Sequence, residues 1–109
     1  MISIGGENLI DLVSGDVEAD GLPRYVANPG GSPYNVAIAA ARQGQPVAYL
    51  TPVSEDALGV LLADRLADSN VTLAAPRVPH PTSLAVVSIT DGIPSYAFHR
   101  NATAERQIS

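Results

Sequence analysis

The sequence predicts an α/β domain built on a parallel sheet, and three patterns support that prediction. Short apolar runs alternate with two segments of helical character, in the order strand, helix, strand, helix, strand. Helices between consecutive strands are typical of parallel sheets, whose ligands bind beyond the carboxyl ends of the strands. Later in the sequence, apolar residues 84–89 and alternating residues 95–100 flank Asp91-Gly92, a dipeptide typical of hairpin turns.

The first part of the sequence predicts a strand followed by a less regular region. Residues Ile2 to Gly6 are apolar and end in glycine, which suits a buried strand. Residues Leu9 to Val13 either continue that strand or begin another. Residues 14–28 contain several glycine, proline and acidic residues, and this composition predicts turns and an excursion from the main sheet.

Two helices are predicted in the middle of the sequence. Ser32 is suited to cap the first helix, Pro33 suits its first turn, and Gly44 is placed to end it after Arg42. Residues 47–51 predict the next strand and residues 52–55 its exit loop. The second helix is indicated by leucines three and four residues apart, which form one apolar stripe that should face the core. These leucines are Leu58, Leu61, Leu62 and Leu66. Residues 71–78 then predict a short strand.

The composition is that of a globular domain. A length of 109 residues suits a single domain, and 46% apolar with 16% charged residues is typical of a folded chain. No run approaches the roughly 20 apolar residues that cross a bilayer, and no basic stretch followed by an apolar run marks a secretory signal. We therefore expect no membrane partner and a cytoplasmic location.

Charge and residue types narrow the chemistry further. Eleven acidic and six basic residues give a net charge of −5, so the basic surface expected of a nucleic-acid binder is missing. All six basic residues are arginines, which excludes a P-loop because that motif needs a lysine. Cysteine is absent, and two histidines, His80 and His99, are a poor basis for a metal site. We predict no metal-ligating residues.

The most distinctive motif is Pro29-Gly30-Gly31-Ser32-Pro33-Tyr34-Asn35 at the predicted helix start. Two adjacent glycines allow a ligand to lie against bare backbone, and the unpaired N–H groups of a first helical turn are donors. The amide of Asn35 both donates and accepts, which suits a sugar hydroxyl. The alternative is that the glycines only make a turn and Asn35 caps it.

Asp11 is the second candidate. It lies within the otherwise apolar run Leu9 to Val13. An unpaired buried carboxylate is costly, so Asp11 should reach solvent or accept hydrogen bonds. At the carboxyl end of a strand it could hold two hydroxyls. The alternative is a solvent-facing residue of a half-exposed strand.

The second hairpin strand supplies the last candidates. Alternation places Tyr96, Phe98 and Arg100 on one face and His99 on the other. Phe98 could pack against the apolar face of a sugar while Arg100 holds a hydroxyl or a carboxylate. From the residues alone, ordinary cross-strand contacts are the favoured interpretation.

Several motifs together resemble the N-terminal half of ribokinase-like carbohydrate kinases, the PfkB family. The resemblance covers nearly the whole chain, and the double-glycine helix start with its asparagine is its most specific element. The motifs, in order, are Gly6 to Asp11, PGGSPYNVAIAAARQG from Pro29 to Gly44, VSEDALG from Val53 to Gly59, Pro81-Thr82-Ser83, and Tyr96 to Arg100 with Ala102 to Glu105.

The resemblance implies a partial ribokinase-like parallel sheet with flanking helices and a β-hairpin lid. It implies that Asp11, Gly30, Gly31 and Asn35 bind substrate hydroxyls. The lid, expected near residues 12–28 and 83–100, closes over the sugar and in some members forms a dimer contact. Fructokinases and 2-keto-3-deoxygluconate kinases are the most similar subgroups, and the latter use lid residues at the positions of Phe98 to Arg100.

The resemblance also implies an activity that these residues alone do not complete. It predicts a kinase that phosphorylates a hexose or keto-sugar with ATP and Mg²⁺, of which residues 1–109 form the N-terminal substrate-binding segment. The family's Gly-X-Gly-Asp motif and ATP-binding part lie downstream, so we expect no catalytic residue here and no activity from this segment alone. We expect a C-terminal segment or another copy to cover the uncovered sheet edge. Ser54 departs from the family's usual glycine.

Two other functions are alternatives to the kinase. A non-catalytic sugar-binding or interaction module would have the same candidate residues and no downstream part. A dinucleotide-binding domain is disfavoured, because Gly5-Gly6-Glu7-Asn8 does not supply the Gly-X-Gly-X-X-Gly turn after the first strand.

Overall fold

The structure is a computed structural model that describes residues 1–15 and 19–107. The described part contains strands, two α-helices and a short 3-10 helix at Ala104–Arg106. The helices are α1 (Ser32–Arg42) and α2 (Ala57–Asp68). The strands are β1 (Ile2–Ile4), β2 (Leu9–Ser14), β3 (Tyr25–Gly30), β4 (Val47–Tyr49), β5 (Val53–Ser54), β6 (Val71–Leu73), β7 (Arg77–Val78), β8 (Leu84–Thr90) and β9 (Ile93–His99).

The central sheet is parallel, as the alternation of strands and helices predicts. Its order is β1-β4-β6, and both pairings are parallel, with Val47 opposite Ile2 on one side and Val71 on the other. Helices α1 and α2 pack against this sheet through a buried apolar cluster. The cluster consists of Ile10, Tyr34, Ala37, Ile38, Val47, Tyr49, Val53, Leu62, Leu66 and Val71. The α/β prediction is confirmed.

A second sheet of four strands has the order β3-β2-β8-β9. Strands β2 and β8 are parallel, and the outer pairs are antiparallel. Residues Leu9 to Val13 therefore begin a separate strand and do not continue β1. Within the region predicted to form turns, Tyr25 begins strand β3; residues 16–18 of that region lie outside the described part.

The predicted hairpin is confirmed as β8 and β9. Asp91 and Gly92 have φ values of 52° and 77°, which is the conformation of a type I′ turn. The pairing runs from Thr90 opposite Ile93 to Leu84 opposite His99, so the second strand begins earlier than the alternation indicated. Arg100 follows directly after the last paired residue.

Helix α1 begins differently from the prediction. Its cap position is occupied by Gly31, and Ser32 is already helical, with no side-chain hydrogen bond at the cap. The expectation that Ser32 caps the helix was wrong because the chain enters through Gly31 at φ 103°, a conformation that favours glycine. The predicted end is confirmed, since the helix stops at Arg42 and Gly44 has φ 89°.

Helix α2 buries only part of its leucine stripe. Leu62 and Leu66 are fully buried and Leu58 is half-buried, but Leu61 is 39% exposed. The prediction for Leu61 was wrong because the buried face of the helix is centred on Gly59, Leu62 and Leu66, and at about 100° per residue Leu61 points well away from the centre of that face. Neither helix of the described residues is long and apolar enough to span a bilayer.

Two further segments differ from their predicted boundaries. Residues 53 and 54, predicted as an exit loop, form β5 and pair in parallel with Arg77 and Val78. The strand predicted over residues 71–78 is consequently divided into β6 and β7. The intervening residues 74–76 carry the chain from the central sheet to this two-stranded one.

Candidate functional site

The entrance to helix α1 is shaped by two glycines with different neighbours. A Cβ atom on Gly31 would collide with the backbone carbonyl of Glu7. A Cβ atom on Gly30 would lie 2.6 Å from Oδ2 of Asp11. Glycine at position 31 therefore allows close backbone packing, whereas glycine at position 30 leaves room for a carboxylate.

Asp11 faces this bend. Strand β2 pairs with β3 so that Leu9 lies opposite Gly30 and Asp11 opposite Asn28. The Asp11 side chain is half-buried, and within the described ranges its carboxylate accepts no hydrogen bond. A carboxylate with free lone pairs beside bare backbone is suited to accept hydrogen bonds from hydroxyl groups.

Phe98 lies on the same face of the four-stranded sheet as Asp11. The register places Asp11 opposite Ala85 and Ala85 opposite Phe98, and directly paired residues share a face. Since neighbouring strands are about 4.8 Å apart, the backbones of Asp11 and Phe98 are separated by roughly 10 Å. Phe98 is 60% exposed and stacks on Tyr96, with ring centroids 6.2 Å apart. This leaves an aromatic surface facing the side on which Asp11 lies.

Arg100 contacts two carboxylates that sequence reasoning did not single out. Its Nε donates to Glu105 at 2.8 Å, and its guanidinium also lies 3.4 Å from the carboxylate of Glu7. The hydrogen bond to Glu105 raises the pKa of Arg100; partial burial opposes this rise, and the charges of Glu105 and Glu7 add to it. Ordinary cross-strand pairing, the interpretation favoured from the residues alone, was wrong for Arg100 because it lies beyond the β8–β9 ladder.

Glu7 connects the helix entrance to the hairpin. Its backbone packs against Gly31, and its carboxylate forms an ion pair with Arg100. Glu7 thus connects the Gly30-Gly31 bend, which Asp11 faces, with Arg100, whereas Asp11, Gly30, Gly31 and Asn35 do not line the groove that Arg100 lines. Phe98 and Arg100 also line one groove of about 370 Å³. The other residues of this groove are Pro81, Thr82, Leu84, His99, Asn101 and Thr103.

Asn35 stands in the first turn of helix α1 and is exposed. Its backbone N–H donates to the carbonyl of Gly31 at 2.9 Å. Across residues 1–15 and 19–107, no hydrogen bond engages its side-chain amide. The amide is therefore free for a ligand, and the alternative in which Asn35 caps the turn is not what the structure shows.

The loop that carries Glu7 is held in place by buried polar residues that were also missed. Asn8 is 1% exposed and donates to the Tyr49 hydroxyl at 3.1 Å and to the Pro52 carbonyl at 3.2 Å. The Tyr49 hydroxyl donates to the Gly6 carbonyl, and the Gly6 N–H donates to Thr51 at 2.7 Å. The signal was present in the sequence, because a polar residue before an apolar run must find partners if it is buried.

The fold defines a class: an α/β domain with a parallel central sheet, two flanking helices and a second sheet that ends in a β-hairpin. The chain belongs to the pfkB family of carbohydrate kinases, because the sequence model of that family matches residues 2–109. This confirms the resemblance stated from the sequence motifs.

Relatives and solved structures agree with this family. A fructokinase from Rhizobium leguminosarum bv. trifolii is 36% identical over 110 residues, which cover all of this chain and 33% of that protein. The crystal structure of fructokinase from Xylella fastidiosa has a TM-score of 0.90 at 32% identity, covering 98% of this chain and 34% of that one. A structure of the same fructokinase with bound ATP has a TM-score of 0.89 at 30% identity, covering 98% and 35%. The chain spans about a third of the length of these proteins.

Proposed function

We propose that this chain supplies the sugar-binding half-site and lid of an ATP-dependent kinase that phosphorylates a hydroxyl of a hexose or keto-sugar, as a fructokinase does. The observation that carries the proposal is the placement of the Asp11 carboxylate beside Gly30, at a helix entrance of bare backbone. The names of the similar proteins support fructose as the first sugar to test.

Each predicted site residue has a proposed role in this half-site. Asp11 accepts hydrogen bonds from sugar hydroxyls, and the Gly30-Gly31 backbone allows the ring to approach closely. The Asn35 amide donates to one hydroxyl and accepts from another. Phe98 covers the apolar face of the ring, and Arg100 donates at the rim. Such contacts hold the reacting hydroxyl in position, which lowers the entropic part of the barrier to phosphoryl transfer.

ATP and Mg²⁺ belong to the proposal for the whole kinase. The sequence has no lysine, and within residues 1–15 and 19–107 no three histidine, aspartate or glutamate side chains form a group that could hold a metal. We assign nucleotide and metal binding, and the base that accepts the hydroxyl proton, to other parts of the kinase, because the family resemblance implies that the Gly-X-Gly-Asp motif and the ATP-binding part lie downstream. The cytoplasm, where ATP is available, stays the predicted location.

The test of sugar binding is the substitution Asp11→Ala. Removing one charge-assisted hydrogen bond of about 1.5–3 kcal/mol should weaken fructose binding by roughly ten- to hundredfold. The dissociation constant of the chain for fructose is measured by calorimetry, and thermal unfolding is followed in parallel. Unchanged affinity with lowered stability would show that Asp11 has only a structural role.

A non-catalytic sugar-binding module is the second candidate, because the half-site itself supports binding without transfer. The two are separated by joining residues 1–107 to the remaining part of the Rhizobium leguminosarum fructokinase and measuring ATP-dependent phosphorylation of fructose. The kinase proposal expects turnover that is reduced by Asp11→Ala. A hybrid that folds and binds both substrates without turnover would favour the binding module.

A second copy of the chain, meeting the first through the hairpin, is the proposed macromolecular partner; a C-terminal segment is the alternative. The hairpin exposes large apolar side chains on both faces, including Ile93 at 69% and Tyr96 at 59%. Light scattering should show a dimer that is weakened by Ile93→Ser. A chain that stays monomeric at all concentrations would leave a C-terminal segment as the covering element.

A further inference from the structure

The hydrogen bonds of Arg100 bear on the kind of sugar the site accepts. Arg100 is the only arginine or lysine among the residues lining the described groove, and it shares that groove with Phe98. A free guanidinium there would attract a carboxylate through two parallel hydrogen bonds. In this structure the guanidinium instead makes two hydrogen bonds to Glu105, at 2.8 and 3.3 Å.

Glu105 is held rigidly in this position. Its side chain is 4% exposed, and the Ser83 hydroxyl donates to it at 2.7 Å. The same hydroxyl lies 2.7 Å from that of Thr103, which donates to the carbonyl of Arg100 at 3.0 Å. Glu105 is thus fixed between the start of β8 and the end of β9, where it cannot swing away without breaking buried hydrogen bonds.

The charges around Arg100 do not favour the binding of an anion. The carboxylate of Glu7 lies 3.4 Å from the same guanidinium nitrogen that donates to Glu105, and the Asp11 carboxylate faces Gly30 at the helix entrance. Two carboxylates, those of Glu105 and Glu7, therefore contact the single positive charge of Arg100. A sugar carboxylate that approached Arg100 would be repelled by Glu7, and it would find the guanidinium already hydrogen-bonded to Glu105.

We infer that Glu105 is a positioning residue that sets substrate selectivity: by occupying Arg100 it makes the site accept neutral sugars and reject sugar acids. This inference rests on the proposed function and names its substrate class. Glu105 does not touch the sugar. It acts by orienting the Arg100 guanidinium through two hydrogen bonds and by neutralising its positive charge.

The test compares a matched pair of sugars. 2-Keto-D-gluconate is fructose with its C1 alcohol oxidised to a carboxylate, so the two sugars differ at the charged group alone. Dissociation constants of the 109-residue chain for both are measured by calorimetry, and kcat/KM for both is measured in the hybrid kinase. The wild-type chain should bind fructose and discriminate against the acid.

Glu105→Gln removes the charge and keeps the size and the Ser83 contact. It should shift the ratio of affinities toward the acid by about tenfold or more, since one charge-assisted bond becomes available. Glu105→Asp keeps the negative charge, so the ratio of its affinities for the two sugars should stay close to that of the wild-type chain. Glu7→Gln, which removes the more distant carboxylate, should shift the ratio in the same direction by a smaller factor.

Two controls separate selectivity from folding. Glu55→Gln removes a charge from an exposed side chain outside the site and should leave the ratio unchanged. Arg100→Met added to Glu105→Gln should abolish the gain for the acid. The inference would be overturned if Glu105→Gln weakened the binding of both sugars by the same factor. If Glu105→Gln does not fold, Glu7→Gln decides: an unchanged ratio of its affinities for the two sugars would also overturn the inference. If the wild-type chain bound neither sugar, the proposed function would fail first.

Discussion

At the residue scale, the adjacent glycines Gly30 and Gly31 differ in backbone conformation and in the atoms that they contact. Gly31 has φ 103° and packs against the Glu7 backbone, so a side chain there is strained and also collides with main-chain atoms. Gly30 meets the Asp11 side chain and has no such backbone conformation. Folding therefore depends on position 31, whereas glycine at position 30 makes room for the Asp11 side chain.

This difference predicts that alanine at position 31 mainly lowers stability, whereas alanine at position 30 mainly weakens sugar binding. Gly31→Ala should lower the free energy of unfolding by more than about 1 kcal/mol, because both the positive φ and the collision are unfavourable. Gly30→Ala should lower it less and should weaken fructose binding at least tenfold by displacing the Asp11 carboxylate. Urea unfolding and calorimetry on both proteins measure these quantities. The reverse assignment of effects would contradict the geometry.

At the scale of elements, helix α2 is joined to the start of the hairpin through one carboxylate. Asp56 caps the helix by accepting from the Gly59 N–H at 2.7 Å. It also accepts from the Thr82 hydroxyl at 2.6 Å and from the Thr82 N–H at 2.9 Å. The cap thereby holds the segment that leads into β8, where the predicted lid begins.

Asp56 gives a pH dependence whose sign is fixed by its hydrogen bonds. Burial alone would raise the pKa of Asp56, but the bonds from Thr82 and Gly59 outweigh it, so the pKa is lowered from 3.8. The stabilisation is therefore complete above pH about 4 and is lost as pH falls through the folded-state pKa. Asp56→Asn should cost about 1 kcal/mol at pH 7, because it removes the oxygen that accepts from the Thr82 N–H, and it should flatten the stability curve below pH 4. An unchanged acid limb in urea unfolding would contradict this.

At the scale of the whole molecule, two buried tyrosines connect the layers. The Tyr34 hydroxyl of helix α1 donates to the Leu62 carbonyl of helix α2 at 2.7 Å. Its ring meets Tyr49 of strand β4 edge to face, with centroids 5.8 Å apart. These two contacts of Tyr34 join both helices to the central sheet, so disruption of either tyrosine should affect the domain as a unit.

These tyrosines predict an alkaline limit to stability. Burial raises the pKa of Tyr34, and it raises the pKa of Tyr49 to about 12. Each phenol stays protonated in the folded chain while the unfolded chain ionises near pH 10, so stability is present below pH 10 and falls above it. The slope approaches about 1.4 kcal/mol per pH unit for each tyrosine. Tyr34→Phe should reduce this slope in urea unfolding between pH 10 and 12. An unchanged slope would show that Tyr34 ionises equally in both states.

The sequence by itself determined the alternation of the central strands with two helices, the parallel central sheet, the hairpin with its Asp91-Gly92 turn, and the family. These features follow from periodicity, turn chemistry and local motifs, which are short-range properties of the chain. It also named Asp11 and the glycine pair correctly as neighbours in space, because the family motifs link them. Their role in binding sugar stays a prediction.

Only the tertiary structure decided what surrounds those residues. Strand β3 and the separation of β1 from β2 depend on pairing between distant segments, and no local pattern specifies such pairing. The partners of Arg100 were hidden for the same reason: Glu7 is 93 positions away in sequence, and Glu105 is brought in by a turn after the hairpin. A side chain's charge can be read from its letter, but whether that charge is free or already paired is set by the packing of the folded chain.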